Sequence, residues 1–371
     1  MTAGRTIRVL VVEDSRTVRA RIVAALRSDP AIEVVGEAAD GAAAIDECTR
    51  LRPDVVTMDM MLPGLTGLAA TEHLMQHCPT PILVISSADN RAGFIDTIAA
   101  LDAGAVDVLE KPVGRDPDGG NDAWDREFLR TVKLVAKIKV IRRVGHRGLP
   151  TPRTAGTAAI SESSTPAPAP GRPYTVVAIG ASTGGPTAVA TVLRTLPAAF
   201  ALPLLLVLHV HESFGTAFAS WLQEVTERPV HLVVSGEPLS HVGPGEVAMA
   251  PPGQHLRVQG STLILTSEAE RHSCRPSVDI LFESLALSHG PRVAAVLLTG
   301  MGRDGATGLL EIDREGGLTI AQDEATSAVF GMPGEAVRLG AAQHVLGIDA
   351  IGPALGRLTV PSDLAARVRY R

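Results

Sequence analysis

Between Gly145 and Pro173 the sequence holds almost no large apolar residue; Pro, Ala, Thr, Ser and Gly fill the stretch instead. A segment of that composition cannot bury enough surface to offset the entropy of ordering it, so it reads as an extended, flexible linker. It divides the 371 residues into two parts, each long enough to enclose a core of its own. The expected organisation is one domain over residues 1–130, a helical extension and linker over 131–173, and a second domain over 174–371.

Both parts alternate short apolar runs with helix-compatible segments. In the first, strands are expected at Ile7–Val12, Ile32–Gly36, Asp54–Met58, Pro81–Ile85 and Ala105–Leu109, with helices at Val18–Leu26, Ala42–Leu51, Gly67–His77 and Gly93–Ala100. Five βα steps of this length imply an α/β fold with a doubly wound parallel sheet. Apolar residues make up 45% of the chain but aromatics only 3%, so the cores must be aliphatic, as suits parallel strands covered by helices on both faces. A formal net charge of -6 argues against nucleic acid as the main partner. Cys48, Cys78 and Cys274 are scattered and odd in number, without metal-ligand spacing, and read as reduced thiols. The N-terminus turns acidic at Glu13-Asp14 before a signal-like apolar core develops, and the longest apolar run, near Phe200–Leu208, is too short to span a bilayer. A cytoplasmic protein is expected.

In a doubly wound sheet, functional groups sit beyond the strand carboxyl ends. There the first part places Glu13-Asp14, Asp59, Ser86-Ser87 and Lys111. Carboxylates crowded together repel unless a cation lies among them, and hard oxygen ligands point to Mg²⁺. This constellation resembles the receiver domain of two-component response regulators, a flavodoxin-like fold, over roughly residues 5–130. The resemblance implies phosphorylation of Asp59 by a histidine kinase, Mg²⁺ held by Glu13, Asp14 and Asp59, and Ser86 and Lys111 as the groups that contact the phosphoryl oxygens. That family usually carries an aromatic switch residue three positions before the lysine; here the position is Val108.

The second part restarts the βα pattern at Thr175. Strands are expected at Thr175–Ile179, Leu202–Leu208, Val230–Val234, Val247–Ala250, Leu263–Thr266, Val293–Leu298 and Thr319–Ala321. The runs near 247 and 263, separated by Pro251-Pro252-Gly253, suggest an antiparallel hairpin on a mainly parallel sheet. Gly180-Ala181-Ser182-Thr183-Gly184 follows a β-branched run and precedes a helix, the context in which G-x-S-x-G exposes a nucleophilic serine. A plain turn with a capping serine, or a phosphate-binding loop, would look similar. A nucleophilic Ser182 needs a base and a carboxylate to orient it. His209, with His211 as its rival, follows one strand, and Asp304 follows another. Gly300-Met301-Gly302-Arg303-Asp304-Gly305 also matches the dinucleotide fingerprint, with Asp323-Glu324 near the next strand's end as ribose ligands. Against that reading, Asp304 would put a negative charge in the phosphate cradle, and little chain follows Asp323.

Several segments in order decide between these readings. Gly180–Gly185, Ala250-Pro251-Pro252-Gly253, Arg275-Pro276-Ser277-Val278-Asp279, Leu298–Gly305, Ala321-Gln322-Asp323-Glu324 and Phe330-Gly331-Met332-Pro333 together resemble the chemotaxis receptor methylesterase family (CheB). The resemblance implies a Ser182–His209–Asp304 triad, oxyanion donors at Thr183 or Met301, and no cofactor for this half. It further implies methylated chemoreceptors as substrates, glutamine deamidation as a second activity, and a receiver that blocks the esterase until phosphorylated. Two positions depart from the family: His211-Glu212-Ser213 stands where a Met-Pro-rich turn is usual, and Cys274 where histidine is usual. A non-catalytic docking module in place of the esterase is the alternative these departures leave.

Overall fold

The computed structural model describes residues 5–86, 96–97, 99–101, 103–112, 121–138 and 173–358, the side chains of 121–123 and 213 excepted. The chain forms two compact units, Met1–Ser163 and Ser164–Arg371. Ser87, most of the helix expected at Gly93–Ala100 and nearly all of the linker lie outside the described residues.

In the first unit the elements are β1 (Ile7–Val12), α1 (Arg16–Arg27), β2 (Ile32–Ala38), α2 (Gly41–Leu51), β3 (Val55–Asp59), α3 (Gly67–His77), β4 (Ile82–Ser86), β5 (Asp107–Glu110) and α4 (Asn121–Val135). Side-chain caps define three helix starts: Ser15 accepts from the Val18 N–H, Asp40 from Ala43 and Thr66 from Ala69. The strands pair in parallel in the order β2-β1-β3-β4-β5, and every residue of β3 and β4 is buried. That order is the doubly wound arrangement expected. Several boundaries shift by one or two residues, and two of the shifts bear on the site: Asp59 and Ser86 close β3 and β4 from within the ladder rather than following them. Trp124 of α4 donates to the Glu110 carbonyl at 2.9 Å and stacks on Phe128, which fastens this helix to the end of β5.

The second unit comprises β6 (Val176–Ala181), α5 (Gly185–Thr195), β7 (Leu204–Leu208), α6 (Gly215–Thr226), β8 (Val230–Leu232), β9 (Glu237–Pro238), β10 (Val247–Met249), β11 (His255–Gln259), β12 (Thr262–Thr266), α7 (Val278–His289), β13 (Val293–Leu297), α8 (Ala306–Arg314), β14 (Leu318–Gln322), α9 (Met332–Arg338), β15 (His344–Leu346) and α10 (Ile348–Leu355). A parallel sheet runs β15-β14-β13-β6-β7-β10-β8, and a small antiparallel sheet runs β11-β12-β9. β6 therefore lies between β13 and β7, and all three are fully buried.

The expected hairpin is corrected. The run at 247 pairs in parallel with β7 and β8 inside the main sheet, and the hairpin is instead β11 with β12 across Gly260. Val-Ala-Met is buried on every residue, as a central strand must be. His255–Gln259 mixes apolar residues with the half-buried Arg257 and exposed Gln259, as suits a sheet with one wet face.

Among the described residues, no helix is long and apolar enough to cross a membrane. At Gly67 a Cβ would lie 1.9 Å from the Asp59 carbonyl oxygen, because α3 starts directly against the end of β3. Gly67→Ala is expected to destabilise the first unit by about 1–3 kcal/mol, read as a lower urea midpoint for its transition.

Candidate functional site

Strands β1, β3, β4 and β5 are neighbours, so the groups at their carboxyl ends converge. The Lys111 ammonium lies 2.9 Å from Glu13 Oε2 and 2.8 Å from Asp59 Oδ2. Ligand oxygens of Glu13, Asp14 and Asp59 all fall within 4.8 Å of one another. Glu13 and Asp59 are buried, Asp14 is exposed, and among the described residues no hydrogen-bond donor reaches Glu13 Oε2 or Asp59 Oδ2 beyond the ion pair with Lys111. Burial, then the Asp59 charge, pushes Glu13 from its ordinary 4.5 up to about 7 against the pull of Lys111 and the Ser15 N–H. Lys111 is raised: burial opposes its charge, but the bonds to Asp59 and Glu13 prevail. Three carboxylates against one ammonium leave an excess of negative charge that suits a small divalent cation with oxygen ligands. Ser86 is buried beside this cluster and bonds Thr97 at 2.9 Å, and its carbonyl accepts from the Lys111 N–H at 2.9 Å. Val108 sits half-buried on β5 opposite Val84, so no ring occupies that position.

The second cluster forms at the carboxyl ends of β13, β6 and β7. Register pairs Ala181 with Leu208, and the His209 N–H donates to the Ala181 carbonyl at 3.1 Å, so His209 emerges beside Ser182. On the other flank the Ser182 N–H donates to the Thr299 carbonyl at 3.1 Å. Gly184 turns the chain into α5 with φ of 73°, a conformation that favours glycine. Asp304 lies seven residues beyond β13, buried, and its Oδ2 accepts from His209 Nε2 at 2.9 Å and the Val278 N–H at 2.7 Å. Its Oδ1 accepts from Ser277 Oγ at 2.7 Å and the Asp279 N–H at 3.1 Å.

Burial acts to raise Asp304, but the bond and charge of His209, then Ser277 and Val278, leave it lowered and ionised. Burial acts to lower His209, and the bonds to Asp304 and Cys274 overcome it, carrying His209 from 6.5 up to about 10. The two shifts agree: a buried ionised carboxylate and a cationic imidazole stabilise each other. His209 Nδ1 faces Cys274 Sγ at 3.6 Å.

Of the residues singled out in the second part, His209 and Asp304 meet directly. Ser182 stands at the adjacent strand end, half-buried, and among the described residues its hydroxyl has no hydrogen bond to the imidazole. Neither the Thr183 nor the Met301 N–H donates to a described group. His211 is exposed and packs edge-to-face on Phe214. The dinucleotide reading does not fit: Asp304 fills the space ahead of α8, and Asp323 Oδ1 accepts from Thr326 within its own turn. The supporting groups were not legible from the sequence. Ser277 anchors Asp304, and buried His255 accepts from the Ser277 N–H at 3.1 Å while its Nε2 donates to the Ala269 carbonyl. Thr299 Oγ1 donates to the Thr183 carbonyl at 2.9 Å, and Gln322 Oε1 accepts from the Thr299 N–H at 2.8 Å, tying three loops together. Only the Arg-Pro-Ser-Val-Asp run signalled that 275–279 mattered; its role as the carboxylate's donor set appears in three dimensions.

A carboxylate pocket with a buried lysine at the end of one parallel sheet, and a carboxylate-backed histidine beside a glycine-framed serine at the end of another, define a response regulator with an α/β output domain. Residues 9–117 match the response regulator receiver domain family and residues 177–355 the CheB methylesterase family. A protein-glutamate methylesterase/protein-glutamine glutaminase of Nitrosospira multiformis is 42% identical over 95% of this chain and 97% of its own length. One from Myxococcus xanthus is 42% identical over 94% and 96%. The crystal structure of the Thermotoga maritima CheB methylesterase catalytic domain is 33% identical, covers 49% of this chain and 97% of that one, and aligns with a TM-score of 0.46. The chain belongs to the CheB methylesterase family, with an N-terminal receiver domain.

The raised His209 has a consequence for stability. Its folded value lies above its ordinary 6.5, so its contribution is complete below about pH 6.5 and is lost as pH rises through about 10. The urea midpoint of the second unit should therefore fall between pH 7 and 10, and His209→Gln should flatten the slope.

Proposed function

We propose that this protein is a phosphorylation-activated serine esterase that hydrolyses glutamate γ-methyl esters on chemoreceptors, releasing methanol, and that it also deamidates receptor glutamines. The buried His209–Asp304 pair beside Ser182 carries the reading. Asp304 holds Nε2, which leaves Nδ1 as the nitrogen that takes the Ser182 proton during attack on the ester carbonyl and returns it to the departing methoxide. Asp304 keeps the tautomer and stabilises the cation as it forms. The Thr183 and Met301 N–H groups receive the oxyanion, each contributing about 3 kcal/mol of transition-state stabilisation. Water, activated by the same nitrogen, then releases the acyl group. No cofactor enters these steps.

In the receiver, Asp59 accepts the phosphoryl group from a histidine kinase of the chemotaxis type. Glu13, Asp14 and Asp59 fit Mg²⁺, since two of their buried oxygens meet no donor but Lys111. The ion, when bound, offsets charge on the transferring phosphoryl group, while Lys111 and Ser86 position its oxygens. With Val108 in place of a ring, the signal leaves the pocket by another route than an aromatic flip. A cytoplasmic location agrees with both partners.

Methanol release from methylated receptor membranes tests the chemistry. Ser182→Ala should reduce it by about 10³-fold or more, and equal rates would exclude this nucleophile. His209→Gln should cost far more activity than His211→Gln; the reverse order would reassign the base. Because His209 must be neutral to accept a proton, activity should rise with pH above 7, and Asp304→Asn should shift that rise toward lower pH. Asp59→Asn should abolish stimulation by a small-molecule phosphodonor while leaving basal hydrolysis in place.

A further inference from the structure

His209 Nδ1 meets the Cys274 thiol in this structure rather than the Ser182 hydroxyl. Cys274 is half-exposed and ends a two-residue turn: Arg271 and Cys274 exchange backbone hydrogen bonds at 3.1 and 2.9 Å. The two central residues, His272 and Ser273, have φ of 54° and 60°, left-handed values that cost non-glycine residues free energy. Side chains hold the turn in place. Arg271 grips both oxygens of Glu283 at 2.6 Å, and His272 bridges Asp279 Oδ2 at 3.0 Å and Arg303 Nε at 3.3 Å. Held from both sides, the turn sets Cys274 Sγ against the imidazole.

Thiol, imidazole and carboxylate thus stand in series, the arrangement that activates a cysteine: nucleophile against base, base oriented by a third group. The same three donors lie within 4.8 Å and so are close enough to hold a metal ion. Asp304, however, already accepts four hydrogen bonds, and its oxygens have no lone pair left for coordination. A thiol set against an imidazole has a base within reach to take its proton as the sulfur attacks. The other two cysteines lack this setting. Cys48 is buried against Thr80 with its thiol pushed up to about 11, and Cys78 lies half-exposed at the end of α3.

We propose that Cys274 is a reactive thiol, open to hydroperoxides and other small electrophiles, whose modification switches off the esterase by occupying the free face of His209. With a hydroperoxide, the sulfur attacks one peroxide oxygen, the S–O bond forms as the O–O bond breaks, and two electrons pass from sulfur to the leaving oxygen. That oxygen takes the imidazolium proton and departs as water or alcohol, leaving a sulfenic acid. Two equivalents of a thiol reductant restore Cys274, with water and a disulfide of the reductant as products. The substituted sulfur then stands at Nδ1, where the Ser182 proton must pass. The effect on hydrolysis rests on the esterase reading; the reactivity of the thiol does not.

Two measurements on the full-length protein separate these parts. In the first, iodoacetamide labelling is followed residue by residue by mass spectrometry. Cys274 should react at least about tenfold faster than Cys78, and His209→Gln should remove the advantage. Equal rates, or a rate unmoved by His209→Gln, would overturn the assignment. In the second, methanol release is measured before and after hydrogen peroxide. The wild type should lose most of its activity and regain it with dithiothreitol, while Cys274→Ser should keep its untreated rate through both treatments. Equal loss in both proteins, or a modified Cys274 with full hydrolysis, would overturn the switch. A wild type inactive before any treatment would refute the esterase reading and the switch with it, while the labelling rates still decide the thiol.

Discussion

The buried carboxylate of Asp304 is the interaction around which the second domain's candidate site is arranged. Burying a charge is costly unless hydrogen bonds replace the lost water. Here four donors do so, three of them from the segment Ser277–Asp279 that opens α7. The fourth is His209 Nε2, so the carboxylate orients the imidazole and holds it cationic. The cost of removing any one donor therefore falls on the base as well as on the fold. Buried His255 contributes at one remove: it accepts from the Ser277 N–H and so steadies the backbone that steadies Asp304.

The first domain balances charge in the opposite way. Its pocket leaves buried carboxylate oxygens facing a single ammonium, and Glu13 is pushed up to about 7 because neither burial nor Asp59 favours its ionised form. One domain holds a fully satisfied carboxylate; the other holds carboxylates short of positive charge. That difference matches their chemistry. A site organised for hydrolysis gains from groups fixed before substrate arrives, whereas under the proposed reading the carboxylate pocket is left able to gain from a cation and a phosphoryl group.

Much of the fold was legible from hydrophobic patterning. β1 and α3 coincide with their expected bounds, and the receiver's sheet order follows from five short βα steps. The hairpin was misplaced because short apolar runs do not reveal their partners: Val247–Met249 could pair with either neighbour until the main sheet enclosed it. Strands at Glu237–Pro238 and His344–Leu346 were missed, being two or three residues long and without alternation, and His255–Gln259 was missed because its polar residues break the apolar run. At the site, Ser182 and Asp304 were visible through their glycines and His209 through its position after a strand. Position after a strand left His209 and His211 as rivals and the family resemblance preferred His209; that the His209 imidazole bonds Asp304 is a tertiary fact.

The sequence alone determined that there are two α/β domains and which residues stand at their strand ends, because periodicity and glycine placement are local properties of the chain. The tertiary structure decided which of those residues touch. Asp304 reaches His209 because β13, β6 and β7 lie side by side, and it stays ionised because α7 begins against it. Cys274 meets His209 through a turn pinned by residues from α7 and the loop before α8. Such contacts join positions tens of residues apart, and their free energy comes from burial and hydrogen bonding that no local pattern records.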